Sequence, residues 1–166
     1  MRIRYCCFLL PLFLWSTASV HAQTSHLVYH IPEDPKTDDP SFKPCNEQWI
    51  NPYYGVKTGY RGDKTALVKH FNVQYRKPNN KLSKQSGYIT IRFIVNCKGK
   101  TGRFRLQQFD REYNITSYPQ EIVSQLLNLT RQLNGWVPGQ YNGESMDSYY
   151  YLCFKIKEGE IAEILP

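Results

Sequence analysis

The chain has 166 residues and a formal net charge of +7, from 21 lysines and arginines against 14 aspartates and glutamates. This length accommodates one domain with additional segments. The sequence contains no H-E-x-x-H, G-x-S-x-G or phosphate-loop motif, which argues against the enzyme classes that these motifs mark.

Residues 1–22 have the pattern of a secretion signal. Arg2 and Arg4 make the start positive, and residues 6–15 form an apolar run that is shorter than the roughly 20 residues needed to span a bilayer. Val20-His21-Ala22 then fits the small-x-small rule for cleavage. We therefore expect a periplasmic protein that begins at Gln23, with an uncleaved membrane anchor as the alternative.

Residues 23–58 are predicted to be a polar leader followed by a wrapping segment. Residues 23–43 are mostly polar and contain three prolines, a composition typical of an extended or disordered leader. Large side chains then come close together, at Trp49, Ile50 and Tyr53. This clustering predicts that residues 44–60 wrap around the core of a domain.

The domain itself is predicted over residues 59–166, and its first half reads as a helix and a hairpin. Asp63 can cap a helix over residues 64–73. Residues 87–95 alternate between apolar and polar, which predicts a strand. A return strand is predicted over residues 103–109, with Phe104 and Leu106 facing inward and Arg103 and Arg105 facing outward.

The second half reads as a helix and a strand. Ser117 and Gln120 form a capping box, and apolar residues at helical spacing continue to Leu133. After the glycine-rich loop 136–143, a last strand is predicted over residues 148–156. Its inward face is predicted to consist of Tyr150, Leu152, Phe154 and Ile156.

This order predicts an α+β fold with two layers, in which a helix is followed by a ββαβ unit. The three strands form an antiparallel sheet in the order 2-1-3 that packs on the helices. The last strand, residues 148–156, then lies at an open edge. An open edge is a template for the addition of a further strand, from a peptide or from a second copy in a homodimer.

Three cysteines remain after cleavage, namely Cys45, Cys97 and Cys153. Export permits a disulfide, and the odd number leaves at least one thiol unpaired. The predicted strand pairing places Cys97 several residues away from Cys153 and disfavours that bridge. A bridge from Cys45 to either partner stays open. No C-x-x-C pair remains, so we predict neither a metal site nor a cofactor.

Three segments, in this order, resemble the C-terminal domains of the TonB family. Residues 63–75 resemble the first helix and its exit, and residues 87–100 resemble the opening strand and its glycine turn. Residues 136–143 are similar to the family's W-x-P-G-x-x-x-G signature. The resemblance covers about residues 59–164.

The resemblance implies that the last strand pairs with an extended segment, the TonB box, of an outer-membrane receptor. Such pairing relies mainly on main-chain hydrogen bonds. The implied pairing edge consists of Tyr149, Tyr150, Tyr151, Leu152, Cys153, Phe154 and Lys155.

The sequence therefore predicts a non-enzymatic periplasmic binding module, linked to TonB-dependent transport. Its expected partner is an outer-membrane receptor or another periplasmic protein, and not a nucleic acid. The alternative is a structural envelope protein that docks to anionic lipid or cell wall. Thirteen lysines and arginines against a single acid between Lys57 and Arg105 support this alternative.

Overall fold

The computed structural model describes residues 30–78 and 84–165, and the predicted secretion signal lies outside them. The described chain has the α+β composition that the sequence predicts. None of its helices is long and apolar enough to cross a bilayer. The elements in chain order are β1 (Asn51–Pro52), α1 (Tyr53–Val56), β2 (Gly59–Tyr60), α2 (Asp63–Gln74), β3 (Gly87–Val95), β4 (Thr101–Phe109), α3 (Gln120–Arg131), β5 (Trp136–Val137), β6 (Gly139–Tyr141), β7 (Glu144–Met146), β8 (Ser148–Lys157) and β9 (Glu160–Leu165).

The main sheet has five strands where the sequence predicts three. Strand β3 lies at its centre, antiparallel to β4 on one side and to β8 on the other. The far side of β8 has two further partners. Strand β1 pairs in parallel with residues 148–149, and β9 pairs antiparallel with residues 153–157.

Helices α2 and α3 pack on one face of this sheet and enclose the main core. The alternation of β8 is as predicted, since Tyr150, Leu152, Phe154 and Ile156 are all buried there. On α2, Leu67 and Phe71 face this core, and the Phe71 ring lies 4.8 Å from that of Phe154. Helix α3 contributes the buried side chains of Ile122, Val123, Leu126 and Leu129 to the same core.

The opposite face of the sheet is partly covered by the N-terminal strap, residues 30–50. The described part of the predicted leader has no helix or strand, but it packs on the sheet and is not a free segment. Ile31 and Phe42 are buried against Ile94, with Ile50 and Tyr149 beside them. Two buried apolar side chains are too few to give a periodic pattern, so the sequence does not reveal this packing.

Helices α2 and α3 have other N-cap residues than the sequence predicts. Helix α2 starts at Asp63 itself, with Gly62 at the N-cap, and α3 starts at Gln120, with Pro119 at the N-cap. Neither N-cap residue makes a side-chain hydrogen bond. The Ser117 carbonyl instead accepts a bond from Gln85 at 3.2 Å. Gly62 supplies the left-handed φ of 81° that leads into α2.

Candidate functional site

Most of the predicted pairing edge is paired on both sides, because β1 reaches Tyr149 and β9 covers residues 153–155, which leaves residues 150–152 between these two partners. Its residues 149–155 belong to β8, which has β3 on one side and β1 and β9 on the other. The prediction that this strand is an open edge is therefore wrong at both of its ends. Alternate residues have different environments: Tyr150, Leu152 and Phe154 are buried, Tyr149, Tyr151 and Cys153 are half-buried, and Lys155 is exposed.

Strand β9 follows a tight turn that the sequence pattern does not predict. Glu158 and Gly159 join β8 to β9 with φ angles of 51° and 77°. Two successive positive φ values are typical of a two-residue hairpin turn. In the sequence, the Glu158-Gly159 pair followed by the apolar residues Ile161 and Ile164 is the only indication of this hairpin. Ile164 is buried in the main core, and Ile161 packs against it.

The outer edge of β9 is therefore the border of the sheet on this side. Within the described residues, β9 pairs with β8 alone. The hairpin closes with Lys157 opposite Glu160. In a regular two-residue hairpin the closing pair exchanges the ladder hydrogen bonds, which leaves the main-chain N–H and C=O of the next residue, Ile161, on the outer side. A register shift follows directly, since Ala162 is inserted between the partners of Ile156 and Lys155.

Two grooves adjoin β9 on the side of α2. The first has a volume of about 250 Å³ and is bounded by Phe71, Tyr75 and Ile161. The second, of about 140 Å³, is bounded by Leu67 and Ile164 among others. Apolar side chains form part of each wall, together with Asn72, Lys77 and Glu160 in the first groove and Asp63 and Lys64 in the second. Side chains of a strand beside β9 can be received there.

The first groove has a fixed wall and a charged rim. The Tyr75 hydroxyl donates a hydrogen bond of 2.7 Å to the Gly159 carbonyl, which ties the end of α2 to the β8–β9 turn. Burial raises the pKa of Tyr75 to about 12, so the phenol remains a donor throughout the physiological range. At the rim, Lys77 and Glu160 form an ion pair of 3.2 Å that is exposed to solvent.

The opposite border of the main sheet is β4, and it is irregular. Arg103 and Phe104 together oppose Phe93, which makes a bulge at the point where the register shifts. Arg103 has a φ of 54° there. Towards its end, the outer side of β4 is covered, because Phe109 bridges to Ile115. Bulges and covered ends are ways in which proteins protect edge strands from pairing.

Arg103 and Arg105 face away from the main core, as predicted, but they contact the strap there instead of solvent. Arg103 is 3% exposed and pairs with Glu47 and, at 3.1 Å, with Glu33. Arg105 binds both carboxylate oxygens of Asp38, at 2.6 and 2.8 Å. This bond holds the pKa of Asp38 below its usual range. The basic block, meaning the lysines and arginines between Lys57 and Arg105, is therefore partly neutralised within the protein.

The cysteines resolve the alternatives that the sequence leaves open. Cys45 and Cys97 form a disulfide, and Cys153 is a free, half-buried thiol. The buried Asp147 carboxylate lies beside this bridge and accepts main-chain N–H groups of Asn46 at 2.6 Å and Cys97 at 2.7 Å. Because both sulfurs are committed to the bridge, this cluster serves as a structural latch between the strap and the β3–β4 turn.

The W-x-P-G segment has a packing role. Trp136 is buried, and its ring lies 4.7 Å from Tyr150 and 5.1 Å from Phe93. The Gly139 N–H donates to the Thr58 hydroxyl at 3.0 Å, and a Cβ on Gly139 would collide with Val56. The predicted loop thus contains β5 and β6, and it fastens α1 to the sheet.

Comparison of the chain with models of protein families, with curated proteins and with solved structures finds no match in any of the three. The TonB-like assignment therefore stays a prediction from the three sequence segments. The geometry of β9 and of the grooves beside it carries the functional proposal.

Proposed function

We propose that the chain is a binding module that recognises an extended peptide by strand addition to the outer edge of β9. The observation that carries the proposal is the position of β9. It is paired on one side only within the described residues, and grooves lie along its α2 side. In this mode of recognition, main-chain hydrogen bonds provide affinity and grooves for alternate side chains provide selectivity.

The β9 edge is favoured over the other border of the sheet. Each border has one register shift, at Arg103 in β4 and after Ile161 in β9, but among the described residues only β4 also has its end bridged, by Ile115. That bridge occupies part of the edge that an added strand requires. Ile161 of β9 lies next to the β8–β9 turn, which Tyr75 holds by its hydrogen bond to Gly159, and beside the groove formed with α2.

The resemblance to TonB C-terminal domains supports a particular partner. It would be an extended segment of an outer-membrane receptor, met in the periplasm as part of TonB-dependent transport. The proposed ββαβ unit would correspond to β3, β4, α3 and β8, with β9 as an additional strand outside it. Relative to the sequence prediction, the contact moves outward by one strand. This role is one of binding and requires no catalytic group.

Docking through the predicted basic block has less support. Arg103 and Arg105, at the end of that block, are bound to acids of the strap. Exposed ion pairs contribute little, but Arg103 is almost fully enclosed, so its charge is not available to an external anionic surface.

Hydrogen exchange in the presence of peptides tests the proposal. The probes are synthetic copies of the extended N-terminal segments of TonB-dependent receptors. Binding should slow exchange of the Ile161 amide by about tenfold or more, because an outward N–H becomes hydrogen-bonded. The matched control is the same peptide with alternate main-chain amides N-methylated, which keeps its side chains. Equal binding of both peptides, or protection confined to other strands, would refute strand addition.

A further inference from the structure

A basic groove lies on the face of the main sheet opposite α2 and α3, beyond the part that the strap covers. It has a volume of about 460 Å³ and lies where β3, β8 and β9 meet the β8–β9 turn. Its lining includes Tyr88, Arg111, Lys155, Lys157 and Glu163. Ala162 and Glu163 of β9 also line it, but the inference below rests on side-chain charges of this face and not on main-chain pairing along β9.

Three cations converge on this groove. Lys155 and Lys157 are two residues apart on β8 and therefore project from the same face. Arg111 approaches from the turn that follows β4. Within the described residues, none of the three has a carboxylate oxygen within ion-pair distance, in contrast with Arg103 and Arg105. Glu163, the single acid in the lining, is the residue directly opposite Lys155 in the β8–β9 pairing, so a bound anion competes with it for that charge.

A neutral donor adds to the three charges. The Ser86 hydroxyl oxygen lines the groove and accepts the Glu158 N–H at 2.9 Å. Because its oxygen is engaged in this way, the hydroxyl proton is left to donate to another group. Donors of three kinds (guanidinium, ammonium and hydroxyl) thus surround one opening.

The turn that presents Arg111 is rigid. The Asp110 carboxylate accepts N–H groups of Glu112 at 2.9 Å and Asn114 at 2.8 Å, and the Asp110 N–H donates to the Asn114 carbonyl. Tyr113 is held at a φ of 64°, which is unusual for a residue with a side chain. Its ring stacks on Tyr88 at 5.0 Å with planes 9° apart. The stack fixes the turn over the end of the groove.

We propose that this groove binds the phosphate group of an anionic ligand, with Arg111, Lys155 and Lys157 as the charged contacts and Ser86 as a further donor. A phosphate offers three acceptor oxygens and close to two negative charges, which matches several converging donors. The planar guanidinium of Arg111 can bind two of those oxygens at once. The phosphate belongs either to a soluble phosphate ester or to a lipid headgroup.

Titration of the isotope-labelled protein with glycerol 3-phosphate, followed by NMR, tests the site. Signals of Ser86, Lys155 and Lys157 should shift together. Arg111→Gln and Lys155→Gln should each weaken binding by about tenfold, as expected for a charge-assisted hydrogen bond. The control is Lys100→Gln, which removes the same charge in the β3–β4 turn at the far end of β3 and should change affinity less than about twofold.

Vesicles distinguish the two sources of phosphate. Cosedimentation with phosphatidylglycerol vesicles, lost in Arg111→Gln and absent with phosphatidylcholine vesicles, assigns the site to an anionic headgroup. Binding of the soluble ester without cosedimentation assigns it to a soluble phosphate ester. The proposal is overturned if neither probe shifts the groove signals, or if Lys100→Gln weakens binding as much as the groove variants do.

Discussion

Removal of the disulfide should destabilise the protein by several kilocalories per mole. Cys45 and Cys97 are separated by 52 residues, and their bridge fastens the strap to the β3–β4 turn. A cross-link of this span restricts the unfolded chain, and the chain-entropy relation gives about 4 kcal/mol at 25 °C. We therefore expect the double variant Cys45→Ser, Cys97→Ser to lose about 2–4 kcal/mol of unfolding free energy. The range extends below about 4 kcal/mol because the measured effect of a disulfide is often smaller than the chain-entropy value.

Urea unfolding measures this loss directly. The dependence of the free energy on urea should also become steeper, because the unfolded chain without the bridge exposes more surface. Cys153→Ser is the matched control, since it removes a free thiol outside the bridge, and it should change the unfolding free energy by less than about 0.5 kcal/mol. A loss below about 1 kcal/mol in the double variant, or an equal loss in the control, would refute the assignment.

Two further predictions concern the strap. Gly102→Ala should lower the free energy of unfolding by about 1–3 kcal/mol, because a Cβ there would overlap the Phe42 ring. In the control Gly55→Ala the new Cβ meets no atom within 4 Å, so its effect should be close to neutral. Urea unfolding compares the two variants. Asp38 has a lowered pKa owing to its bond with Arg105, so it stabilises the fold above about pH 4 and loses that effect as pH falls through the folded-state pKa. Acid unfolding of Asp38→Asn should show a shallower decline, and an unchanged profile would contradict this reasoning.

The strongly periodic elements are the ones that the sequence predicts well. Strand β3 spans Gly87–Val95, the range read from its alternation, and the inward residues of β8 are buried as expected. Both strands contact helices on one face, so burial enforces a period of two. Helix α3 has a full apolar stripe for the same reason.

The elements that the sequence misses are held by few or non-periodic contacts. Strand β9 has only Ile161 and Ile164 facing the core, and the register shift at Ile156 removes the simple alternation between them. Without β9, the sequence pattern makes β8 the edge strand, which is why the predicted pairing edge lies one strand inward of the border of the sheet.

The sequence predicts wrapping only from residue 44, because the polar contacts that attach the earlier part of the strap are distant in sequence. Arg105 meets Asp38 across 67 residues, and Asp147 meets Asn46 across 101. Local propensity contains no information about such pairs, and the prolines of this segment favour an extended chain. A disulfide was the one long-range contact that composition suggested, although composition did not identify its partners.

The strap also determines where ligands can reach the sheet. It closes the end of the second face nearest the β3–β4 turn, where Arg103 leaves regular strand geometry to bind Glu47 and Glu33. The other end of that face holds the basic groove, where Arg111, Lys155 and Lys157 form no ion pair within 4 Å among the described residues, although Glu163 lies opposite Lys155. The arginines under the strap hold the fold together, whereas we propose that the cations beside β9 contact an external anion.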